Sequence, residues 1–302
     1  MNPAAVHSLR RFALSVPDLG QAEHFYRCFG LDVVPLERGG LSVRTAAHGR
    51  EVARMHHGPR KTLHHLSFGA FAGDVDRIAA QALEAGAREL ESPAEGEPGR
   101  WFVDPDGRLF HVTEDENRSP KGRSTEELIV HVGPNAAPER NLEVRPRRLG
   151  HVMLLTADAG RTANFYVRAL GLRLSDATEG IVSFLHHPHG SDHHVLAFVQ
   201  SSGPAAFHHA SFEVPTVDAV GIGANRMAEH GYKQGWGLGR HYAGSNFFHY
   251  VRDPWGSFVE YFCDMDYIPA GTPWEPRKVA PENSLSSWGP DVPDYFLVNS
   301  EA

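Results

Sequence analysis

The chain has 302 residues, a formal net charge of −8, and apolar and charged fractions of 41% and 22%. This length is enough for one large domain or two ordinary ones, and the composition is that of a globular protein. A negative charge without a basic run argues against nucleic-acid binding, and no apolar stretch is long enough to suggest a membrane span. The first ten residues lack the apolar core of a signal peptide, and the two isolated cysteines exclude a disulfide framework. We therefore expect a protein of a reducing compartment, the cytoplasm.

In chain order, the first half predicts two units that each contain a strand, a helix and several short strands. In the first unit, Asp18 is the expected N-cap of the helix and Gly30 is expected to end it. The second unit begins with a predicted strand at residues 64–71 and continues with an amphipathic stretch that ends at Gly86. The Asp-Pro-Asp-Gly sequence at residues 104–107 predicts a tight turn between two strands.

The second half of the chain resembles the first. Residues 208–214 match residues 64–71, and the Asp-Pro-Trp-Gly turn at 253–256 matches the turn at 104–107. Asp158 takes the place of the N-cap of the first helix. Four such units predict an α+β fold with two tandem domains.

The composition also predicts the domain boundaries. We expect an N-terminal domain at residues 1–115, a polar linker rich in Pro and Arg at 116–148, and a C-terminal domain at 149–267. The remaining residues, 268–302, are rich in proline and too irregular for a further domain. We expect this tail to cover the surface or the mouth of a site.

Three potential metal ligands, His151, His209 and Glu260, occupy segments of the second half that predict strands. Two imidazoles and one carboxylate form a facial triad, which binds one face of a ferrous ion and leaves the other face open to substrate and dioxygen. Their spacings of 58 and 51 residues fit equivalent strands of neighbouring units. The sequence therefore predicts an oxygen-activating metal site in the second half.

The internal repeat provides a control for this prediction. The first-half residues equivalent to the triad are Arg11, His65 and His111. Arg11 cannot bind a metal because its guanidinium stays protonated and has no free lone pair. We therefore predict that the first half is a metal-free structural copy.

The chain contains 20 histidines, several of them in adjacent pairs such as His193-His194 and His208-His209. Neighbours in a strand point to opposite faces, so at most one histidine of each pair should face a given cavity. When the residues after His209 are aligned with those after His151, this register selects His209 over His208 as the ligand.

The segment from Gly239 to Glu260 carries a long pattern, in which Gly-x-His precedes Tyr-x-x-Asp-Pro-x-Gly and the glutamate. With this pattern the chain closely resembles the type I extradiol ring-cleavage dioxygenases of the vicinal oxygen chelate superfamily, such as catechol and dihydroxybiphenyl dioxygenases. The resemblance covers about residues 5–265 and implies that each domain consists of two βαβββ modules. His249 departs from the family, which usually has an apolar residue before the tyrosine, and we expect it to be peripheral to the metal.

The resemblance also implies a role for each site residue. The implied metal ligands are His151, His209 and Glu260, the implied acid–base group is His194, and the implied contacts to substrate and oxygen are His241 and Tyr250. The implied cofactor is Fe(II), although Mn(II) fits the same ligand set. The implied reaction opens the ring of a catecholic aromatic next to its vicinal hydroxyls with both atoms of O2, and gives a muconic semialdehyde-type product in aromatic degradation. Family analogy further implies a homo-oligomer.

Two other functions remain open on the sequence alone. One is another metalloenzyme of the superfamily, such as an isomerase, a transferase or a keto-acid-dependent dioxygenase, but that function leaves His194, His241 and Tyr250 without a purpose. The other is a non-catalytic binding module, which would not need a complete triad.

The identity of the substrate depends on pocket residues outside the motif. We expect these residues to come from segments 176–192 and 242–248 and from the tail. Arg240 and Arg252 could bind a substrate carboxylate, but we expect them to form salt bridges.

Overall fold

The computed structural model describes residues 4–46, 49–92, 97–117 and 142–302. Most of the predicted linker at 116–148 therefore lies outside the described residues. None of the helices in the described ranges combines the length and apolar character that a membrane span requires.

The first half forms one sheet and two helices. In chain order its elements are β1 (Ser8–Val16), α1 (Leu19–Cys28), β2 (Asp32–Pro35), β3 (Leu41–Arg44), β4 (Glu51–His57), β5 (Thr62–Ala70), α2 (Val75–Ala85), β6 (Arg88–Leu90), β7 (Arg100–Val103) and β8 (Leu109–Glu114). The order of strands across the sheet is β2-β3-β4-β1-β5-β8-β7-β6.

The second half forms a larger sheet, two helices and a short two-stranded ribbon. In chain order its elements are β9 (Arg148–Thr156), α3 (Ala159–Leu170), β10 (Arg173–Thr178), β11 (Val182–His186), β12 (Ser191–Asp192), β13 (Leu196–Gln200), β14 (Ala206–Glu213), α4 (Val217–Glu229), β15 (Gly235–Arg240), β16 (Phe247–Arg252), β17 (Phe258–Cys263), β18 (Tyr267–Ile268) and β19 (Arg277–Lys278). The order across the sheet is β15-β16-β17-β14-β9-β13-β11-β10-β19, and β12 pairs with β18.

The two sheets share one topology. In each sheet, two modules of strand, helix and three strands meet through their first strands, β1 against β5 and β9 against β14, and both of these pairs are antiparallel. The fourth strand of each module lies parallel to its first strand, as β4 does to β1 and β17 does to β14. The predicted α+β fold of two tandem pairs of βαβββ modules is confirmed.

The helix ends follow the signals in the sequence. The Asp18 side chain accepts a hydrogen bond from the backbone of Gln21, and Asp158 accepts one from Arg161, both at 2.9 Å, as N-caps do. Gly171 follows α3 with a φ of +68°, and a Cβ atom there would lie 2.4 Å from the carbonyl oxygen of Ala4. Glycine is therefore required at the end of α3.

The two halves pack against each other through aromatic side chains of one continuous hydrophobic core. Phe12 stacks on Phe207 with ring centroids 5.4 Å apart, and Phe29 stacks on Tyr261 at 3.7 Å. The Tyr261 hydroxyl also donates a hydrogen bond to the carbonyl oxygen of Phe29 at 2.9 Å. These contacts fix the first half against the back of the strands that carry the predicted metal ligands.

Candidate active site

The register of three neighbouring strands brings the predicted metal ligands together. Strand β14 lies between β9 and β17, and its Ser211 pairs with His151 on one side and with Glu260 on the other. Directly paired residues share a face of the sheet, and His209 shares that face because it lies two residues before Ser211. The three side chains therefore point to the same side of the sheet.

The ligand atoms of these three residues converge. The Nε2 atoms of His151 and His209 are 3.1 Å apart, and Glu260 Oε2 lies 3.2 Å from the first and 3.5 Å from the second. All three residues are buried. Among the described residues, no other group of three His, Cys, Asp or Glu side chains could hold a metal ion.

The chemistry of this group fits a divalent cation. Burial raises the pKa of Glu260, but contacts with His151 and His241 outweigh burial and hold the pKa below the usual value, so that the carboxylate is charged. Its Oε2 atom is nevertheless without a hydrogen bond from the described residues. Burial holds the pKa of His209 well below its usual value, so this imidazole is neutral and has a free lone pair. A buried carboxylate oxygen without a hydrogen bond, beside two imidazole nitrogens, is the donor set of a facial triad.

His194 lies beside this group, on the segment between β12 and β13. Its ring centroid is 4.2 Å from that of His151, and its Nδ1 atom is 3.1 Å from His193 Nδ1. His193 Nε2 in turn lies 3.0 Å from a carboxylate oxygen of Asp176, which also accepts a hydrogen bond from Arg277 at 2.6 Å. A carboxylate only accepts, so His193 carries a proton on Nε2, and in the tautomer with this proton alone its Nδ1 accepts the proton of His194. His194 Nε2 is therefore left without a proton.

His241 and Tyr250 form a hydrogen-bonded pair next to Glu260. Tyr250 pairs with Glu260 across β16 and β17, and its hydroxyl lies 2.9 Å from His241 Nε2. His241 Nδ1 donates a hydrogen bond to the carbonyl oxygen of Leu285, and its Nε2 lies 3.7 Å from Glu260 Oε1. The structure thus brings together all six residues that the sequence singles out.

The adjacent histidine pairs do not alternate as a regular strand would require. A β-bulge between Phe207 and His209 brings His208 Nδ1 to 2.7 Å from His209 Nδ1. An extra residue in one strand disrupts the alternation of side chains. His193 and His194 likewise contact each other through their Nδ1 atoms. Despite these contacts, His194 lines the cavity whereas His193 and His208 do not, so the prediction that at most one histidine of each pair faces a given cavity agrees with the structure for these two pairs.

His249 does follow the regular alternation. It pairs with Tyr261 across β16 and β17, on the face of the sheet opposite Tyr250 and Glu260. Because the Tyr261 ring stacks on Phe29 of the first half, this face is the one turned away from the triad. His249 is peripheral to the triad, as the sequence predicts.

A cavity opens beside the triad. The lining residues are His151, Met153, Val182, Phe184, His194, Val199, Trp236, His241, Ala243, Tyr250, Ser284, Leu285, Phe296 and Leu297. Segments 176–192 and 242–248 and the tail all contribute, as predicted. Met153, Val199 and Trp236 come from outside those segments, and Met153 has a signal in the sequence, because it lies two residues after His151 in a predicted strand and so shares its face.

Neither of the two candidate carboxylate-binding arginines lines this cavity. Arg240 pairs with Asp264 at 3.3 Å, which is the salt bridge that the sequence predicts. Arg252 donates a hydrogen bond to the side chain of Gln234 at 2.8 Å and lies against the ring of Tyr295.

The equivalent side chains of the first half have protein partners. Arg11 forms ion pairs through Nη1 with Glu51, at 3.0 Å, and through Nη2 with Glu97, and the same Nη2 atom lies 3.5 Å from His65 Nε2. His111 makes hydrogen bonds with the Ser67 hydroxyl and the Pro98 carbonyl oxygen, both at 2.9 Å. In this half a guanidinium is the buried cation beside the histidine.

Comparisons with known proteins agree with this geometry. Residues 148–261 match the Glyoxalase/Bleomycin resistance protein/Dioxygenase superfamily, and residues 11–113 match the Glyoxalase-like domain family. The chain is 48% identical to metapyrocatechase 2 of Cupriavidus necator over 302 residues, which are 99% of this chain and 93% of that protein. It is 25% identical to an iron-dependent extradiol dioxygenase of Rhodococcus jostii, over 73% of this chain and 80% of that protein.

A solved structure with the same fold is the Mn(II)-bound glyoxalase from Novosphingobium aromaticivorans. It has a TM-score of 0.79 and 25% identity, and the alignment covers 97% of this chain and 94% of that one. The extent and identity of the match to metapyrocatechase 2 decide the family. The chain belongs to the extradiol dioxygenases of the vicinal oxygen chelate superfamily and is an enzyme that cleaves catecholic rings.

Proposed function

We propose that this extradiol dioxygenase binds Fe(II) through His151, His209 and Glu260 and cleaves catechol or a catechol that carries an apolar substituent. The observation that supports the ligand assignment is the convergence of two imidazole nitrogens and one buried carboxylate oxygen within 4.8 Å of one another. When bound, the metal supplies Lewis acidity to the catechol hydroxyls and open coordination positions for substrate and dioxygen. Iron is preferred because a relative is named iron-dependent, and Mn(II) is the alternative for this ligand set.

His194 is the acid–base group in this proposal. Its unprotonated Nε2 atom takes a proton from one catechol hydroxyl and later returns it, which a neutral imidazole beside the substrate can do. His193 and Asp176 hold the imidazole of His194 in this orientation through the Nδ1 contact. Tyr250 and His241 line the same cavity and provide hydrogen bonds to the substrate oxygens as negative charge develops there.

The rest of the cavity wall suggests the class of catechol. The polar side chains of the lining at the site are those of His151, His194, His241 and Tyr250. The rest of the lining is apolar except for Ser284. Within the described residues, no lysine or arginine lines it. A substrate carboxylate would lose its hydration in this cavity without gaining a cationic partner, whereas an alkyl or aryl group would bury apolar surface. Catechol and its alkyl or aryl derivatives are therefore the expected substrates.

The experiment for the ligand assignment uses the internal repeat. Protein loaded anaerobically with Fe(II) should convert catechol in air to a yellow ring-opened product, with one O2 consumed per catechol. His209→Ala should lose this activity, and the control His65→Ala, at the equivalent position of the first half, should keep it. Full activity in the His209 variant would contradict the ligand assignment.

The substrate class is tested separately with a panel of catechols. We expect kcat/KM for an alkyl-substituted catechol to exceed that for a carboxylated one by about 100-fold, since an unpaired buried charge is strongly disfavoured. Equal values for the two substrates would contradict the apolar assignment and leave the metal ligands unaffected. Assembly into a homo-oligomer stays a prediction that mass measurement in solution would test.

A further inference from the structure

His208 lies next to a metal-ligand residue but outside the cavity, in an enclosed position. It is 2% exposed, and its ring lies between those of Phe258 and Phe296, with centroids 5.4 Å and 4.8 Å away. Burial between two aromatic rings favours the neutral imidazole, which carries a single proton on one of its two nitrogens. The position of that proton decides what His208 can do for its neighbour.

Two contacts determine the position of the proton. His208 Nε2 lies 2.6 Å from the carbonyl oxygen of Phe296, and a carbonyl oxygen can only accept, so Nε2 carries the proton. The Nδ1 atom of His208 is then an acceptor, 2.7 Å from His209 Nδ1. His209 must therefore carry its own proton on Nδ1, which leaves its Nε2 lone pair directed toward His151 and Glu260.

We propose that His208 is a positioning residue: it donates a hydrogen bond from Nε2 to the Phe296 carbonyl oxygen, accepts one at Nδ1 from His209, and so holds His209 in the tautomer and orientation that bind the metal. The inference rests on the proposed function, because it requires a metal at the triad. Hydrogen bonds to the distal nitrogen of a ligand histidine fix its ring and raise its basicity. Here the last link of that chain is a backbone group of the C-terminal tail, far from the metal-binding strands in sequence.

The structure contains two internal comparisons for this role. His151, the other imidazole of the triad, has an Nδ1 atom that is buried without a hydrogen bond from the described residues. The support is therefore specific to His209. In the first half, His64 and His65 make the same contact, with Nδ1 atoms 2.8 Å apart, beside Arg11 in place of a metal ligand. His64 is thus a matched control with the same local geometry and no metal to support.

The test measures the dissociation constant of Fe(II) from the full-length protein under anaerobic conditions, by competition with a coloured chelator. His208→Phe keeps an aromatic ring but removes both hydrogen bonds, and it should weaken Fe(II) binding by about 10- to 100-fold. His208→Asn keeps an acceptor near the Nδ1 position and should restore most of the affinity. His64→Phe should bind Fe(II) like the parent.

Other variants keep the test decisive. If His208→Phe does not fold, His208→Gln replaces it, because glutamine reaches the Phe296 carbonyl but has no acceptor at the Nδ1 position. Parental Fe(II) affinity in the Phe or Gln variant, or equal weakening in the Asn variant, would overturn the role of His208. Parental Fe(II) affinity in His209→Ala would instead overturn the proposed metal site, which separates the two failures.

Discussion

The buried ion pair between Lys61 and Glu301 fastens the end of the tail to the first half. Glu301 Oε1 accepts hydrogen bonds from the backbone of Leu63 at 3.0 Å and of Phe207 at 3.1 Å, and it lies 3.3 Å from Lys61 Nζ. The exposed fractions of the two side chains are 9% for Glu301 and 1% for Lys61. Burial lowers the pKa of Lys61, and the charges of Asp253 and Glu301 oppose that effect. Glu301→Ala would therefore leave a buried ammonium without its nearest counter-charge.

The size of the effect follows from these contacts. Removing one partner of a buried ion pair destabilises a protein by about 3–5 kcal/mol. We expect the lower end of this range, about 3 kcal/mol, because the Ser257 hydroxyl and the Phe207 carbonyl oxygen still bind the ammonium. Denaturant unfolding of the parent and Glu301→Ala would measure the difference in free energy. KM for catechol should also rise, because Phe296 and Leu297 of the tail line the cavity.

Lys61→Met provides the check on this reasoning. If the destabilisation comes from an unpaired charge, the double variant with Glu301→Ala should be less destabilised than the sum of the two single variants. A strictly additive double variant would refute this explanation. A Glu301→Ala protein with the parental unfolding free energy would refute the anchoring role itself.

Three further predictions concern the site and its surroundings. Asp176→Asn should lower kcat by about 100-fold without loss of bound iron, because it removes the carboxylate that holds His193 and thereby disturbs the orientation of His194. An unchanged kcat would exclude this role of Asp176. Burial lowers the pKa of His249 from 6.5 to about 4, so the unfolded chain binds this proton more tightly and stability falls as pH drops below 6.5. Between pH 8 and pH 5 the unfolding free energy of His249→Leu should therefore fall by about 2 kcal/mol less than that of the parent. The same pH dependence in both proteins would contradict this prediction. Ala243→Leu should narrow the cavity and lower kcat/KM for alkyl catechols about 10-fold more than for catechol, whereas a uniform decrease in steady-state assays would show that Ala243 does not select between them.

The part of the site that lies on strands, His151, His209 and Glu260, could be predicted because it depends on local sequence patterns. The internal repeat aligned His151 and His209 in equivalent strands, and the Asp-Pro-Trp-Gly turn placed Glu260 in the strand that follows it. In a regular ladder, such positions decide which side chains share a face. The convergence of the triad could therefore be predicted without knowledge of the tertiary packing.

The remaining parts depend on irregular or long-range structure. The contact of His208 with His209 arises from a β-bulge, and nothing in the sequence of this strand marks where the extra residue falls. Phe296 and Leu285 reach the site across the surface of the second sheet, from positions separated from the triad by irregular chain. Their places are fixed by packing, such as that of Phe296 against Trp236 and Tyr250, which a pattern along the chain does not record.

The tail contributes to the site through its backbone as well as through its side chains. Carbonyl oxygens of the tail accept hydrogen bonds from His208, His241 and Trp236, and that of Trp288 accepts one from the backbone of Arg240. Alanine substitution leaves a carbonyl oxygen in place, so an alanine scan would detect side-chain contacts such as those of Phe296 and Glu301 but would miss these backbone contacts. Insertions or deletions would instead shift every carbonyl out of register with its donor. The tail is therefore constrained in length at these four carbonyl positions, and this part of its importance would be visible in spacing and not in residue type.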